Sequence, residues 1–430
     1  MLRIITNLPD AEAELRRIAN RLFDDQMSNR EATVSEIVQR VRRQGDKALL
    51  EYTAQFDGVE LTPSQLRVTG AEIDAAYQQL SPELARALHL AHDRIVKFHQ
   101  QRVPQSWVTF EAKNVVLGKK YTPVDRAGIY IPGGKATYPS TVLMNAVPAV
   151  VAGVKEIIMV TPPGKGNTIS PTILAAAQIA GVHQIYRVGG AQAIAALAYG
   201  TETIPKVDVI TGPGNIYVTL AKKQVYGVVG IDSLAGPSEV LIIADETANP
   251  LFVCADLLAQ AEHDTMAAAI LLTTSHRLAQ QVADEVSHQL KYHSRQELLE
   301  KSIVNNSVAI VTDSLTTAVE LSNLFAPEHL ELAVAEPWEL VQSIRHAGAI
   351  FIGHYTPEAV GDYLAGPNHT LPTSGAARYA SPLGVETFMK HSSLIEFSEE
   401  ALREVGEAIA VLAEVEGLTS HRDSVQWRLQ

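Results

Sequence analysis

The chain has 430 residues, 46% of them hydrophobic and 19% charged, and its 35 basic and 48 acidic side chains leave a formal net charge of −13. That length and composition predict an ordinary globular protein of about three domains, and the acidic balance, with no block of Lys or Arg, argues against a nucleic-acid partner. A single cysteine, Cys254, excludes an intrachain disulfide framework and a Cys-x-x-Cys zinc site, and fits a reducing compartment.

Residues 1–12 lack the apolar core of a signal peptide. The longest apolar run, 141–154, is interrupted by Asn145 and Pro148 and is too short to span a bilayer. The expectation is a cytoplasmic protein with no membrane partner.

Helical periodicity dominates the chain up to His99. Val34, Ile37, Val38 and Val41 fall on one helical face. Residues 80–99 repeat the pattern, with Ser81 as N-cap and Pro82 at the first helical position. From Val115 the character changes to short apolar strands and glycine turns. Residues 156–160, 185–188 and 207–210 read as strands, with Ala-rich helices over 173–180 and 191–199 between them. A second set of strands, 269–273, 307–311, 330–334 and 349–352, alternates with helices such as 277–290. Strand–helix–strand repetition implies parallel sheets with right-handed crossovers, so two α/β units of related design are expected. A long helix over 400–414 and a polar end follow as an appended arm.

Several predicted strands run into glycine: Gly189-Gly190-Ala191-Gln192, Gly212-Pro213-Gly214-Asn215, and a stretch read as a loop, Gly128-Ile129-Tyr130-Ile131-Pro132-Gly133-Gly134-Lys135. Glycine at a strand's carboxyl end lets the backbone approach a pyrophosphate, and the next helix N-terminus favours its charge. None is a Gly-x-Gly-x-x-Gly, and each alone is equally a plain turn. Together they suggest a nucleotide site off the standard fingerprint.

The adjacent pair Glu328-His329 is the most informative feature. Pro327 fixes φ and disfavours helix for Ala326, while Leu330, Leu332 and Val334 alternate like a strand. Both side chains are therefore expected in one turn before that strand, where they could reach one cavity and exchange protons near neutral pH. Gln260 and His263 lie three apart on a helical pattern, on a shared face. Asp362 precedes a loop, 364–375, crowded with glycine, proline and polar groups that include His369, and Glu416 and His421 sit in what reads as a C-terminal loop. Gln, His, Asp and His form a plausible N/O set for zinc, although scattered ligands cannot be recognised from spacing. Cys254 lies in an apolar helical stretch without a nearby cation and reads as a packing residue, not a nucleophile.

Four stretches, Ala235-Gly236-Pro237-Ser238-Glu239, Asp256-Leu257-Leu258-Ala259-Gln260-Ala261-Glu262-His263, Ala326-Pro327-Glu328-His329-Leu330 and Gly366-Pro367-Asn368-His369-Thr370-Leu371-Pro372-Thr373, together resemble histidinol dehydrogenase, from about residue 30 to the end. The resemblance implies a homodimeric enzyme with one Zn2+ per subunit that oxidises L-histidinol to L-histidine through bound L-histidinaldehyde, with two NAD+, as the last step of histidine biosynthesis. On its motifs, Gln260, His263, Asp362 and His421 correspond to zinc ligands and Glu328 and His329 to proton acceptors. Tyr130, Gln192 and Asn215 correspond to NAD contacts; Ser238, His329 and Glu416 join the zinc ligands as contacts for L-histidinol. The C-terminal arm would cross to the other subunit, so that Glu416 and His421 complete the neighbour's site. Asp264-Thr265-Met266 departs from the Asp-Pro or Gly-Pro usual after the zinc histidine, which alters a helix end but no ligand.

The expected fold is α/β: two related Rossmann-like parallel-sheet domains plus a helical N-terminal segment and a C-terminal dimerisation arm. The expected boundaries are 1–24 for the N-terminal segment, 25–129 with 238–383 for a discontinuous catalytic domain, 130–237 for an inserted nucleotide-side domain, and 384–430 for the arm. Two rival readings are a related zinc and NAD dehydrogenase acting once on another small alcohol or diol, and a non-catalytic α/β ligand-binding protein.

Overall fold

A computed structural model describes residues 2–21, 27–133 and 137–430. Its strands are, in chain order, β1 (Arg3–Ile5), β2 (Trp107–Glu111), β3 (Val115–Pro123), β4 (Arg126–Tyr130), β5 (Glu156–Thr161), β6 (Gln184–Arg187) and β7 (Val209–Thr211). There follow β8 (Gly230–Ile231), β9 (Glu239–Ala244), β10 (Ala268–Thr273), β11 (Val308–Val311), β12 (His329–Ala333), β13 (Ala349–Ile352) and β14 (Met389–Glu396).

The near-continuous apolar strands are those covered by helices on both faces, and they form two wholly parallel sheets. One runs β6-β5-β4-β7-β8 and the other β11-β10-β9-β12-β13, with β1 added beyond β11. Apart from β1 the two orders are the same. In each, the chain changes direction beside its first strand, the place where a crevice opens at the carboxyl ends. Register in the second sheet sets Leu330 opposite Leu241 and Leu332 opposite Ile243, all four fully buried. The third sheet, β14-β3-β2, is antiparallel, and β14 pairs with β3 from Met389 opposite Pro123 to Glu396 opposite Val116, anchoring the C-terminal arm.

The parallel α/β expectation stands, and helix Pro82–Gln100 begins as its cap predicted, with the Ser81 hydroxyl accepting from the Leu84 N–H at 3.2 Å. Three expectations need correction. The segment 1–24 is not simply helical: β1 joins the second sheet, and helix Leu8–Ala19 buries Ala11, Leu15 and Ile18 against Leu241, Ile243 and Phe325. Residues 22–24 of that segment lie outside the described residues.

The grouping of 25–129 with 238–383 also fails. Helices Met27–Gln44 and Asp46–Asp57 share a core with Ile158, Val160 and Ile210 of the first parallel sheet. Helices Gly70–Gln78 and Pro82–Gln100 pack on Pro139–Ala152 and Pro171–Ile179 of the same body. Periodicity marks Val34, Ile37, Val38 and Val41 as a buried face but cannot say what buries it; the small side chains of helix Gly190–Tyr199 do. Finally, the stretch from Gly128 to Tyr130 is not a loop but belongs to β4, because a glycine flanked by apolar residues fits a strand buried on both faces; Gly134 and Lys135 lie outside the described residues. Among the described residues no helix is long and apolar enough to cross a membrane.

Candidate active site

Helix Leu315–Phe325 ends at Ala326, whose φ of 58° is a left-handed conformation uncommon for a residue with a side chain. Pro327 then forbids further helix. Glu328 occupies the resulting bend and His329 opens β12, both buried, at 6% and 4% exposure. The expected turn therefore holds Glu328, while His329 is already in register with Val240 and Ala349.

One residue touches both. The Glu239 N–H at the start of β9 donates to Glu328 Oε2 at 2.9 Å, and the Glu239 carbonyl accepts from His329 Nδ1 at 3.0 Å. A carbonyl can only accept, so Nδ1 carries the proton and Nε2 is the free base. That Nε2 is buried and makes no hydrogen bond among the described residues; it lies 3.7 Å from Glu358 Oε1. Glu328 Oε2 is 3.6 Å from His329 Nδ1.

Burial pushes the His329 imidazole down to about 4, opposed in part by Asp362 and by the bond to the Glu239 carbonyl. Burial also pushes the Glu328 carboxyl well above its usual range; the Glu239 N–H resists this, and the Glu239 and Asp362 carboxyls reinforce it. Burial thus keeps the His329 imidazole neutral at pH 7 and raises the proton affinity of the Glu328 carboxyl. One consequence is measurable in the metal-free protein. Between pH 6.5 and about 4 the unfolded imidazole is protonated and the folded one is not. The wild type should therefore lose about 3 kcal/mol of stability relative to His329→Asn as pH falls through that window. Urea titrations of both proteins at pH 7 and pH 4 measure it, and a pH-independent difference would refute a buried neutral imidazole.

His263, Glu358 and Asp362 each offer one ligand atom, and these atoms all lie within 4.8 Å of one another. Helix Glu358–Tyr363 places its two carboxylates one turn apart on one face. Helix Pro250–Ala261 ends before His263, which is exposed, so Gln260 and His263 do not share a regular helical face; the chain leaves the helix at Glu262. Gln260 is fully buried. With its Nε2 turned toward Glu358, it donates to both carboxylate oxygens at 2.5 and 2.6 Å, and its Oε1 accepts from the Glu239 N–H at 2.6 Å. Burial, then Asp362 and Glu328, push the Glu358 carboxyl well up, and its N–H donates to Glu331 Oε1 at 2.9 Å. Sequence reasoning missed Glu358. The available signal was its four-residue spacing from Asp362 just after Pro357, a proline that can open a short helix.

Ser238 immediately precedes β9, its carbonyl accepting from the Ala268 N–H at 3.0 Å. His369 Nδ1 donates to the Asp362 carbonyl at 3.0 Å, which ties its loop to the helix bearing Asp362. Glu416 and His421 do not join the His263 group within one chain. They do not share a loop either: Glu416 caps helix Glu399–Val415, His421 lies on helix Thr419–Gln426, and both are exposed.

A second cluster gathers at the carboxyl ends of β4 to β7. The Tyr130 hydroxyl accepts from the Gly190 N–H at 3.1 Å, and burial pushes its phenol up to about 12. Gln192 is 1% exposed, and neither amide atom has a partner among the described residues. A Cβ on Gly133 or Gly189 would lie 2.3 or 2.5 Å from Pro162, and one on Gly212 (φ +111°) 2.1 Å from the Tyr130 carbonyl. Only glycine fits these close approaches. The buried Lys222–Asp232 ion pair holds the turn: Lys222 donates to the Gly212 carbonyl at 3.1 Å and Asp232 accepts the Gly212 N–H at 2.8 Å. Asn215 caps helix Ile216–Val225, its Oδ1 accepting from Tyr217 and Val218 at 3.0 and 3.2 Å. Cys254 is buried, and burial pushes its thiol up to about 12, which removes it as a nucleophile.

The chain matches the family model described as histidinol dehydrogenase over residues 21–429. A protein named histidinol dehydrogenase from Thermosynechococcus vestitus is 67% identical over 430 residues, covering 100% of both chains. One of the same name from a Synechococcus strain is 65% identical, covering 100% of this chain and 99% of its own. The crystal structure of histidinol dehydrogenase from Elizabethkingia anophelis superposes with a TM-score of 0.93 at 40% identity, covering 100% of this chain and 98% of that one.

Proposed function

Because this chain belongs to the histidinol dehydrogenase family, we propose that it oxidises L-histidinol to L-histidine through bound L-histidinaldehyde, using two NAD+ and one zinc ion per subunit. It is an oxidoreductase of histidine biosynthesis; the two-step course, the cofactors and the residue roles are the proposal. The observation that carries them is the buried pair Glu328 and His329, both held by the peptide groups of Glu239, beside a cluster of metal-capable donors.

The donors suit zinc: an imidazole and carboxylates, with the Gln260 amide adjoining, form an N/O set that manganese or cobalt would also accept. Gln260, His263 and Asp362 would hold the ion from one subunit and His421 from the other. When bound, the metal would orient the substrate through its amine and imidazole. The glycine-lined strand ends, with Tyr130 and with the Gln192 amide, unpartnered among the described residues, suit a dinucleotide. Asn215 would join them, and NAD+ would accept one hydride in each oxidation.

In the first oxidation His329 Nε2 takes the proton of the substrate hydroxyl, its tautomer already set by the Glu239 carbonyl. In the second, Glu328 takes a proton from the water that adds to the aldehyde carbon. Addition of water at carbon replaces the thiol adduct that Cys254 cannot supply. Ser238 contacts the substrate, and Glu416 of the neighbouring subunit counters its positive charge.

The two sheets, with their common strand order, are read as Rossmann-like. The exposed apolar residues Val411, Leu412, Val415 and Trp427 on the C-terminal helices support an arm that packs on a second subunit. A cytoplasmic location goes with this reading, and neither nucleic acid nor membrane is a partner in it. NADH formed per L-histidinol consumed, with zinc present, tests the two-step course. A ratio of two is expected; a ratio of one would replace it with a single oxidation.

A further inference from the structure

Arg21 is 3% and Glu239 1% exposed at the side chain, and they form an ion pair at 3.0 Å between Nη1 and Oε1. The rest of the guanidinium is committed to backbone: Nε donates to the Met266 carbonyl at 2.7 Å, Nη2 to the Pro237 carbonyl at 3.2 Å, and Nη1 also to the Ile18 carbonyl at 2.9 Å. Glu239 Oε2 accepts from the N–H of Ser374, which has a left-handed φ of 54° and ends the loop that carries His369. The pair thus clamps the backbone on both sides of Ser238 and ties it to the N-terminal segment and to that loop. The peptide groups of the clamped residue are the ones that bond Glu328 and His329.

We propose that Arg21 and Glu239 are positioning residues for the oxidation: the buried pair fixes the 237–239 backbone, and through the Glu239 N–H and carbonyl it fixes the placement of Glu328 and the tautomer of His329. Neither side chain need touch the substrate. The physical basis is that a fork of donors anchored at four acceptors resists both rotation and sliding, and that a displacement of about 1 Å at reacting groups can cost about 10² in rate. The inference rests on Glu328 and His329 being the proton acceptors.

The test compares the zinc-loaded dimer with its Arg21→Met and Arg21→Lys variants. Arg21→Met should lower kcat by about tenfold or more. The KM for NAD+ should stay unchanged, since the nucleotide cluster stands on the other sheet, and rates are compared per bound zinc because Gln260 shares the Glu239 N–H. Arg21→Lys keeps the charge without the fork and should recover part of the loss; if Arg21→Met fails to fold, the lysine variant carries the same test against the wild type. In a His329→Asn background the Arg21 substitution should cost less in histidinol oxidation than it does in the wild type, because part of its effect runs through a group already removed. A kcat within about twofold of wild type, with only the melting temperature lowered, would overturn the proposal. So would an Arg21 effect that multiplies undiminished in both the His329→Asn and Glu328→Gln backgrounds. Should those two single variants prove fully active, the assignment of the proton acceptors fails instead, a result visible without any Arg21 variant.

Discussion

His329→Asn should slow the oxidation of histidinol far more than that of histidinaldehyde, and Glu328→Gln should do the reverse, each by about 10² to 10⁴ in rate. The geometry is the reason to expect separate losses. His329 presents a buried Nε2, unbonded among the described residues, with its proton parked on Nδ1, the form that accepts from an alcohol. Asparagine in that place offers no base. Glu328 is a buried carboxyl stabilised by one N–H, and its raised proton affinity suits removal of a proton from water. Glutamine keeps an oxygen for the Glu239 N–H, so the fold is retained while the base is lost. Single-turnover NADH formation from each substrate separates the two steps. Full activity of either variant on both substrates would dismiss the assignment.

Mixing two inactive variants should restore activity. His263→Asn and His421→Asn dimers should each lose nearly all turnover, since each would lack one proposed ligand at both sites. After subunit exchange, half of the dimers would be hybrids with one site free of substitutions and one doubly substituted. The mixture should then reach about a quarter of wild-type activity. The motive is structural: within one chain His421 and Glu416 are exposed on the C-terminal helices and stay outside the His263, Glu358 and Asp362 group. Activity assayed before and after exchange, with hybrid formation followed by a tagged subunit, measures the effect. No recovery despite hybrid formation would mean that His421 serves no site across the interface.

Glu358 changes how the metal group is understood. It stands with His263 and Asp362 and is bonded by the Gln260 amide, so in one chain it occupies ground near the set proposed for zinc. Its short helix is nearly invisible to periodicity, because six residues span less than two turns. His263 was legible as a donor but not as a residue beyond the helix end, since capping geometry is decided by the chain that follows.

Local rules account for what the sequence determined by itself. Period-two and buried apolar runs located most strands of both parallel sheets. Proline at 327 stopped a helix in front of Glu328, and glycine at 212 marked a backbone approach that no side chain permits. These are properties of a few consecutive residues, and a few consecutive residues carry them. The tertiary structure alone decided which faces meet. It packed helices Met27–Gln44 and Asp46–Asp57 on the β6-β5-β4-β7-β8 sheet, added β1 to the edge of the other, and placed the peptide of Glu239 between Glu328 and His329. Arg21 meets Glu239 across 218 positions of chain. Burial and backbone hydrogen bonds select such partners by their position in the assembled core, and no spacing along the chain records that position.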